Sequence, residues 1–474
     1  MQLNALTDQQ IQSLHEASLL ILRDVGIQVP HEEMRRLFLE AGAEVCEPDD
    51  IVRIPESLVY SCLESSGKLF TLYGRDLELQ ARFGDGSRNY NSAASEDFWV
   101  DDSGTQRRYA ELEDVAVATR FGDKLPWLNL VGAMADPHEV PPQCRCVETA
   151  VTQIRNTTKP VYFFFHGRAA AQYLLEIMEV IRGSAEEATR YPLFCPMLEP
   201  ISPLKFPHDG IDLLFETARL SLPVLIGPMA QVGATAPGTL AGTLAQENAE
   251  ILAGVCATQL IRRGMPVCYG GIPHAFDMRT TQLVFAGPEQ ALMAIAMTQM
   301  GKHYNLPVYI NVGLTDSKVL DAQAGIEAAA TLICGALAGA DIFGHFGICG
   351  VDQGASLVTL MMQHELIGYV ERILQGIEVN TEKLGIDVIQ SVGHHGTFLA
   401  EEHTAKHFRD ELWFPQLLDR NYWSNWSEQG APSMYDRCVE MKDKFLAEHS
   451  PKPLDEDTSK ELDKIVAAAR KDLT

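Results

Sequence analysis

Apolar and polar residues change rhythm twice along this chain. Over residues 7–43 the apolar positions Ile11, Leu14, Leu19 and Leu22, then Met34, Leu37 and Leu39, recur at helical spacing. That is the step of a helix with one buried face. Thr7 and Asp8 precede the first of them as an N-cap pair. From Gly74 the stretch GRDLELQARFGDGSRNYNSAASEDFWVDDSGTQRRYA alternates in short pieces between Gly, Asp and Asn turns, which predicts hairpins. Residues 1–115 are therefore expected to form an appended helical and β-hairpin region.

A regular alternation then begins. Eight short apolar runs lie at 127–137, 160–168, 191–200, 223–231, 266–274, 307–317, 340–347 and 385–393. Between them stand Ala-rich or amphipathic stretches such as AAQYLLEIMEVIRG and IEAAATLICGALAG. These tend to end on Gly, and the next run often opens with Pro. Continuously apolar strands belong to sheets buried on both faces. Eight βα units predict a (β/α)8 barrel over 116–400 with Gly339–Phe346 as its seventh strand; a doubly wound open sheet is the alternative. Residues 401–474 are expected to pack on the barrel as a helical extension, seated by WFPQLLDRNYWSNW (413–426).

Composition adds limits. Hydrophobic residues make up 46% and charged ones 22%, an ordinary globular balance. A net charge of −26 speaks against a nucleic-acid partner. No apolar run approaches the ~18 residues that span a bilayer, and the start is polar, so a cytoplasmic protein with no membrane partner is expected. The 10 cysteines are scattered. Only Cys144 and Cys146 stand close, without a second pair, so no metal site is expected. GATAPGTLAG (233–242) follows a strand but carries neither phosphate-binding glycine pattern. Zinc-protease and serine-hydrolase motifs are absent.

In a barrel, chemistry gathers where strands end. The runs end in Asp136 with His138, His166 with Arg168, Glu199, Gln231, His274, Asn311 with Asp316, His345, and His394 with His395. Each alone is as readily a helix cap or loop residue. Together they would converge on one mouth, where small-molecule sites lie. In GADIFGHFGICGVDQGASL (339–357), His345 stands between Phe343 and Phe346, followed by Gly347 and Gly350. Strand alternation would put Phe343 on the same face as His345.

Four segments carry a family resemblance. They are LTDQQIQSLHEASLLILRDVGIQV, PVCYGGIPHAFDMRTTQLVFAGPEQALM (266–293), TDSKVLDAQAGIEAAATLICGALAGADIF (315–343) and HHGTFLAEEHTAKHFRDELWFPQLLDRNYWSNW. They resemble the trimethylamine methyltransferase superfamily over nearly the full length. The resemblance implies a TIM-type barrel that moves a methyl group from a methylamine to the cobalt of a corrinoid protein. Founding members carry pyrrolysine at the mouth, in the region of FGICGVDQG; this sequence has only standard residues there. That places it with the branch that acts on quaternary amines, glycine betaine foremost, with proline betaine and carnitine as alternatives.

Such a donor needs aiming more than activation, because its nitrogen already carries the charge that lets it leave as a neutral amine. Aromatic faces attract a methylated cation that cannot donate a hydrogen bond. Phe343, Phe346, Tyr309, Phe276 and Tyr90 are the candidate rings, although core packing accounts equally well for each alone. His345 is the main clamp, with His274, His166 and Asn311 as further holders of a betaine carboxylate, Arg168 a weaker one, and Gln231 and Glu199 completing the substrate set. Gly347, Gly350 and Asp316 are candidates to face the corrinoid, since bare backbone admits a flat ring. The corrinoid, as cob(I)alamin, is expected on a separate partner protein, with no tightly bound cofactor on this chain. A homo-oligomer stays open. So do a metal-assisted lyase or hydrolase using Glu199, His166 and His274, and a non-catalytic betaine-binding protein.

Overall fold

The computed structural model describes residues 2–165 and 167–474. Eight parallel strands close a barrel: β1 (Asn89–Ser92), β2 (Val131–Gly132), β3 (Val161–Tyr162), β4 (Met197–Leu198), β5 (Val224–Ile226), β6 (Val267–Gly270), β7 (Val308–Asn311) and β8 (Ile342–Phe346). β4 to β8 pair in sequence order, and β8 pairs with β1. A bridge from Asn91 to Leu130 joins β1 to β2, β2 pairs with β3, and the Val161 N–H donates to Leu193 O at 3.2 Å ahead of β4.

A helix follows each strand: α1 (Leu112–Lys124), α2 (Arg145–Asn156), α3 (Arg168–Arg182), α4 (His208–Thr217), α5 (Leu240–Ile261), α6 (Pro288–His303), α7 (Ala322–Ala338) and α8 (Leu357–Gln375). Their ends follow local chemistry. Thr239, Asp321 and Ser356 side chains accept N–H bonds from the first turns of α5, α7 and α8. α7 stops at Gly339, whose φ of +85° suits a residue without a Cβ. Among the described residues no helix is long and apolar enough to cross a membrane.

The sheet closes with two differences from the expected strands. β1 comes from the segment assigned to the N-terminal region, before residue 115. Its sequence, NYNS, is polar because Asn89 and Asn91 approach neighbouring strands closely; a Cβ at Gly344 would lie 2.2 Å from Asn91 Oδ1. The run 385–393 is no strand. Ile386–Val392 is an exposed helix between Gly385 and Gly393. Gly339–Phe346 therefore ends in the eighth strand of the barrel, not the seventh.

Two further layers matter for access. The hairpin Phe70–Tyr73 with Gln80–Phe83 lies under the N-terminal end of the barrel. Leu72, Ala81 and Phe83 join Leu130, Tyr162, Met197, Leu225, Cys268, Tyr309 and Ile342 in one buried cluster, so the hairpin plugs the bottom. Its backbone bonds reach the strand starts: Tyr73 N–H to Pro192 O at 2.8 Å and Gly84 N–H to Asp341 Oδ1 at 2.6 Å. Phe70, half-buried, stacks on Phe83 at 4.3 Å. Phe70→Ala is expected to cost about 2 kcal/mol, from partial burial plus the ring pair; a melting temperature equal to wild type would refute the plug's contribution.

The helix Asp8–Leu20 and the helix Glu56–Ser65 cover α5, and Glu456–Leu473 packs on α3. Leu417 is buried and Trp413 meets Tyr369 edge-on at 5.5 Å, so part of 413–426 seats the extension, while Tyr422 and Trp423 stay exposed.

Candidate active site

β3, β7 and β8 carry the inward groups of the mouth. In VYFFF the side chains alternate: Phe163 and Phe165 pack outward on Phe194, while Tyr162 and Phe164 turn inward to the His345 ring. Tyr162 meets His345 edge-on at 5.5 Å, and Tyr309 stacks on it at 5.9 Å. The Tyr309 hydroxyl lies 2.5 Å from both His345 Nε2 and Asn311 Oδ1. One arrangement satisfies all three groups: Nε2–H donates to the Tyr309 oxygen, and the Tyr309 O–H donates to Asn311. His345 is buried and pushed down to about 3, first by desolvation and then by His274, so its ring is neutral.

Carboxyl groups form the other half. Glu96 follows β1, Glu199 follows β4, and Asp352 sits in the loop after β8. Val351 and Asp352 both take left-handed backbone, at φ 62° and 59°, a strained turn for a β-branched residue. Burial raises Glu199 to about 7, with Asp352 adding to the rise, and burial raises Asp352 to about 7. Glu96 is held well above its usual range, by burial first and then by Asp352 and Asp97. Among the described residues no cation offsets these three acids. Arg168 is turned to Glu216 at 3.2 Å, and the exposed Lys318 donates to Asp316 O at 3.0 Å. Glu199 and Gln231 line a cavity of about 530 Å³ at the ends of β4 and β5.

His274 follows β6 and is wholly buried. Its Nδ1 donates to Ile272 O at 2.7 Å, its ring stacks on Phe285 at 4.7 Å, and its Nε2 has no partner among the described residues. Desolvation lowers it to about 4. Glu247 on α5 holds this loop in place, its two oxygens accepting the Ala230 and Ile272 N–H groups at 2.9 Å.

The expected residues thus divide. His345, Tyr309 and Asn311 come together, His274 stands near enough to depress His345, and Glu199 and Gln231 share a cavity. His166 lies outside the described residues. Phe343, Phe346 and Tyr90 do not join the mouth. Tyr90 stacks on Phe343 at 5.3 Å and donates its hydroxyl to Glu371, all three rings lying in the layer between sheet and helices. The shared face expected for Phe343 and His345 fails because the β8–β1 register shifts between Phe343 and Phe346. Phe276 sits half-buried on the hairpin Ala275–Asp277 with Gln282–Val284. Gly347 is buried, and a Cβ there would meet Met134 Cε at 2.3 Å, so its bareness serves packing. Gly350 borders an outer cavity of about 360 Å³ with Arg107 and Lys318. Asp316 accepts the Phe285 N–H at 2.9 Å and ties two mouth loops together.

Asp136 pairs with Arg145, His138 lies 3.3 Å from Asp97, and His394 and His395 are exposed just after the helix Ile386–Val392. Tyr162, Phe164, Glu96 and Asp352 were missed. The alternation in PVYFFFHGR could have found the first two, and the acid in GVDQG the last.

Comparison with known proteins agrees with this architecture. The solved structure of the Methanosarcina barkeri monomethylamine methyltransferase matches with a TM-score of 0.51 at 12% identity, covering 92% of each chain. A trimethylamine methyltransferase of Desulfitobacterium hafniense (strain DSM 10664 / DCB-2) is 30% identical over 463 residues, 97% of this chain and 92% of the relative. A glycine betaine methyltransferase of Desulfitobacterium hafniense (strain Y51) is 29% identical over 472 residues, 99% and 98% of the two chains. The sequence profile of the trimethylamine methyltransferase family matches residues 1–474, and the chain belongs to that family.

Proposed function

We propose that this protein takes a methyl group from a quaternary ammonium and passes it to the Co(I) of a corrinoid held by a separate protein. The observation that carries the reading is the mouth itself. Inward rings of Tyr162, Phe164 and Tyr309 stand with Glu96, Glu199 and Asp352, and no described cation offsets the acids. Ring faces and carboxylates attract a permanent cation, each well-placed desolvated ring by ~1–2 kcal/mol.

The chemistry asks for no proton. The C–N bond breaks with its electron pair left on nitrogen, the acceptor supplies the pair for the new bond to the methyl carbon, and the amine departs neutral. His345 and His274 suit this, since burial keeps both uncharged at neutral pH and neither is poised as a general acid. They orient the donor while the closed barrel floor excludes water from below. The names of the relatives, acting on trimethylamine and on glycine betaine, support a methylamine or methylammonium donor.

The test mixes the purified protein with cob(I)alamin and follows loss of the Co(I) spectrum with quaternary donors and with trimethylamine. Quaternary donors should drive methylation, and trimethylamine should be slower. Fastest turnover with trimethylamine, or none with any quaternary amine, would overturn the reading.

A further inference from the structure

We propose that the donor this mouth selects carries a hydroxyl and no carboxylate, an alcohol of the choline type, because three acids stand at the mouth with no counter-cation among the described residues and His274 Nε2 is a buried acceptor with no donor among them. The inference rests on the quaternary-ammonium reading above and narrows it.

A betaine brings its own carboxylate within a few bonds of the ammonium. It would meet Glu96, Glu199 and Asp352, a group of acids whose charged forms burial already penalises, and add a further negative charge to them. What the acids gain from the ammonium they would lose to the carboxylate. A betaine also needs free donors. Tyr309's proton is engaged by Asn311 or His345, and Arg168 is turned to Glu216. The expectation of glycine betaine thus lacks its counter-charge among the described residues.

His274 points to the complementary group. Ile272 O fixes the proton on Nδ1, so Nε2 presents a lone pair. Phe285 holds the ring, and Glu247 holds the loop. A buried acceptor left empty is costly, so a ligand that donates to it gains selectively. A carboxylate cannot donate; an alcohol can. Methyl transfer from choline then releases N,N-dimethylaminoethanol as a neutral amine, with the hydroxyl unchanged and no further reactant.

Calorimetry on the intact wild-type protein at pH 8 would compare choline, its hydroxyl-free isostere ethyltrimethylammonium, and glycine betaine, with cob(I)alamin methylation measured in parallel. Choline is expected to bind at least tenfold more tightly than either of the others. His274→Leu should abolish the preference for choline over the isostere, and a preference that survives the substitution would overturn the role of His274. Betaine binding as tightly as choline would overturn the inference while the quaternary-ammonium reading stands. Equal affinity for choline and its isostere in wild type would overturn the role of His274. Methylation by no quaternary donor would remove both readings.

Discussion

Glu199→Gln will bind a quaternary ammonium donor roughly 10- to 100-fold more weakly than wild type, yet unfold at a higher temperature at pH 8. The first effect follows from charge. A carboxylate about 5 Å from a cation at an effective dielectric of about 20 contributes up to ~3 kcal/mol, and each 1.4 kcal/mol is about tenfold in affinity. The second follows from proton linkage. Burial, with Asp352 nearby, lifts Glu199 in the fold to about 7, above its ordinary 4.5. A carboxyl raised in the folded state favours the fold while protonated, and that advantage is lost as pH rises through about 7. At pH 8 the wild type holds an ionised, poorly compensated acid that the amide does not reproduce. Donor affinity of the wild type should also rise between pH 6 and pH 8 as Glu199 and Asp352 ionise. Calorimetry and thermal melts across that range decide the matter. A Gln variant that melts earlier than wild type and binds the donor normally would show that Glu199 does not face the ligand.

Tyr309→Phe is expected to cost about 2–5 kcal/mol of stability without changing the fold. Its hydroxyl is shared by His345 Nε2 and Asn311 Oδ1, both on buried residues. Removing it strands two polar groups at ~1–3 kcal/mol each. The His345 ring would also lose its fixed orientation, so donor use should fall along with the melting temperature. His345→Phe in the same background tests the sharing: with the imidazole gone, the second substitution should add less than the sum of the two alone. Strict additivity, or a Tyr309→Phe protein as stable as wild type, would mean that the short contacts carry no energy.

The barrel and half of the mouth were legible because strand ends were marked by Pro and Gly, and because polar groups at those ends had no other evident reason to be there. Asn311 and His345 were found that way, and Tyr309 only as a candidate ring. Phe343 and Phe346 were placed wrongly because alternation assumes an unbroken register, and the β8–β1 pairing shifts between them. NYNS hid the first strand, its asparagines chosen for closeness to other strands and not for burial of apolar surface. GIDVIQSVG looked like a strand because Ile and Val favour sheets, but Ile386, Ile389 and Val392 also fit a helical step, and nothing in the local sequence decides between the two. Glu96, Glu199 and Asp352 meet only in three dimensions, from loops more than a hundred residues apart.

The hairpin beneath the barrel has a consequence for the timing of the reaction. With Leu72, Ala81 and Phe83 filling the floor, the interior is a cul-de-sac whose entrance is the C-terminal mouth. On the proposed function a small cation and a bulky protein-borne acceptor must share that doorway. The small molecule has to arrive first, because the large one would then stand over it like a stopper. The spent amine is imprisoned until the partner withdraws. Turnover so arranged is a queue with a fixed order, and an acceptor that docks early locks the protein in an unproductive embrace.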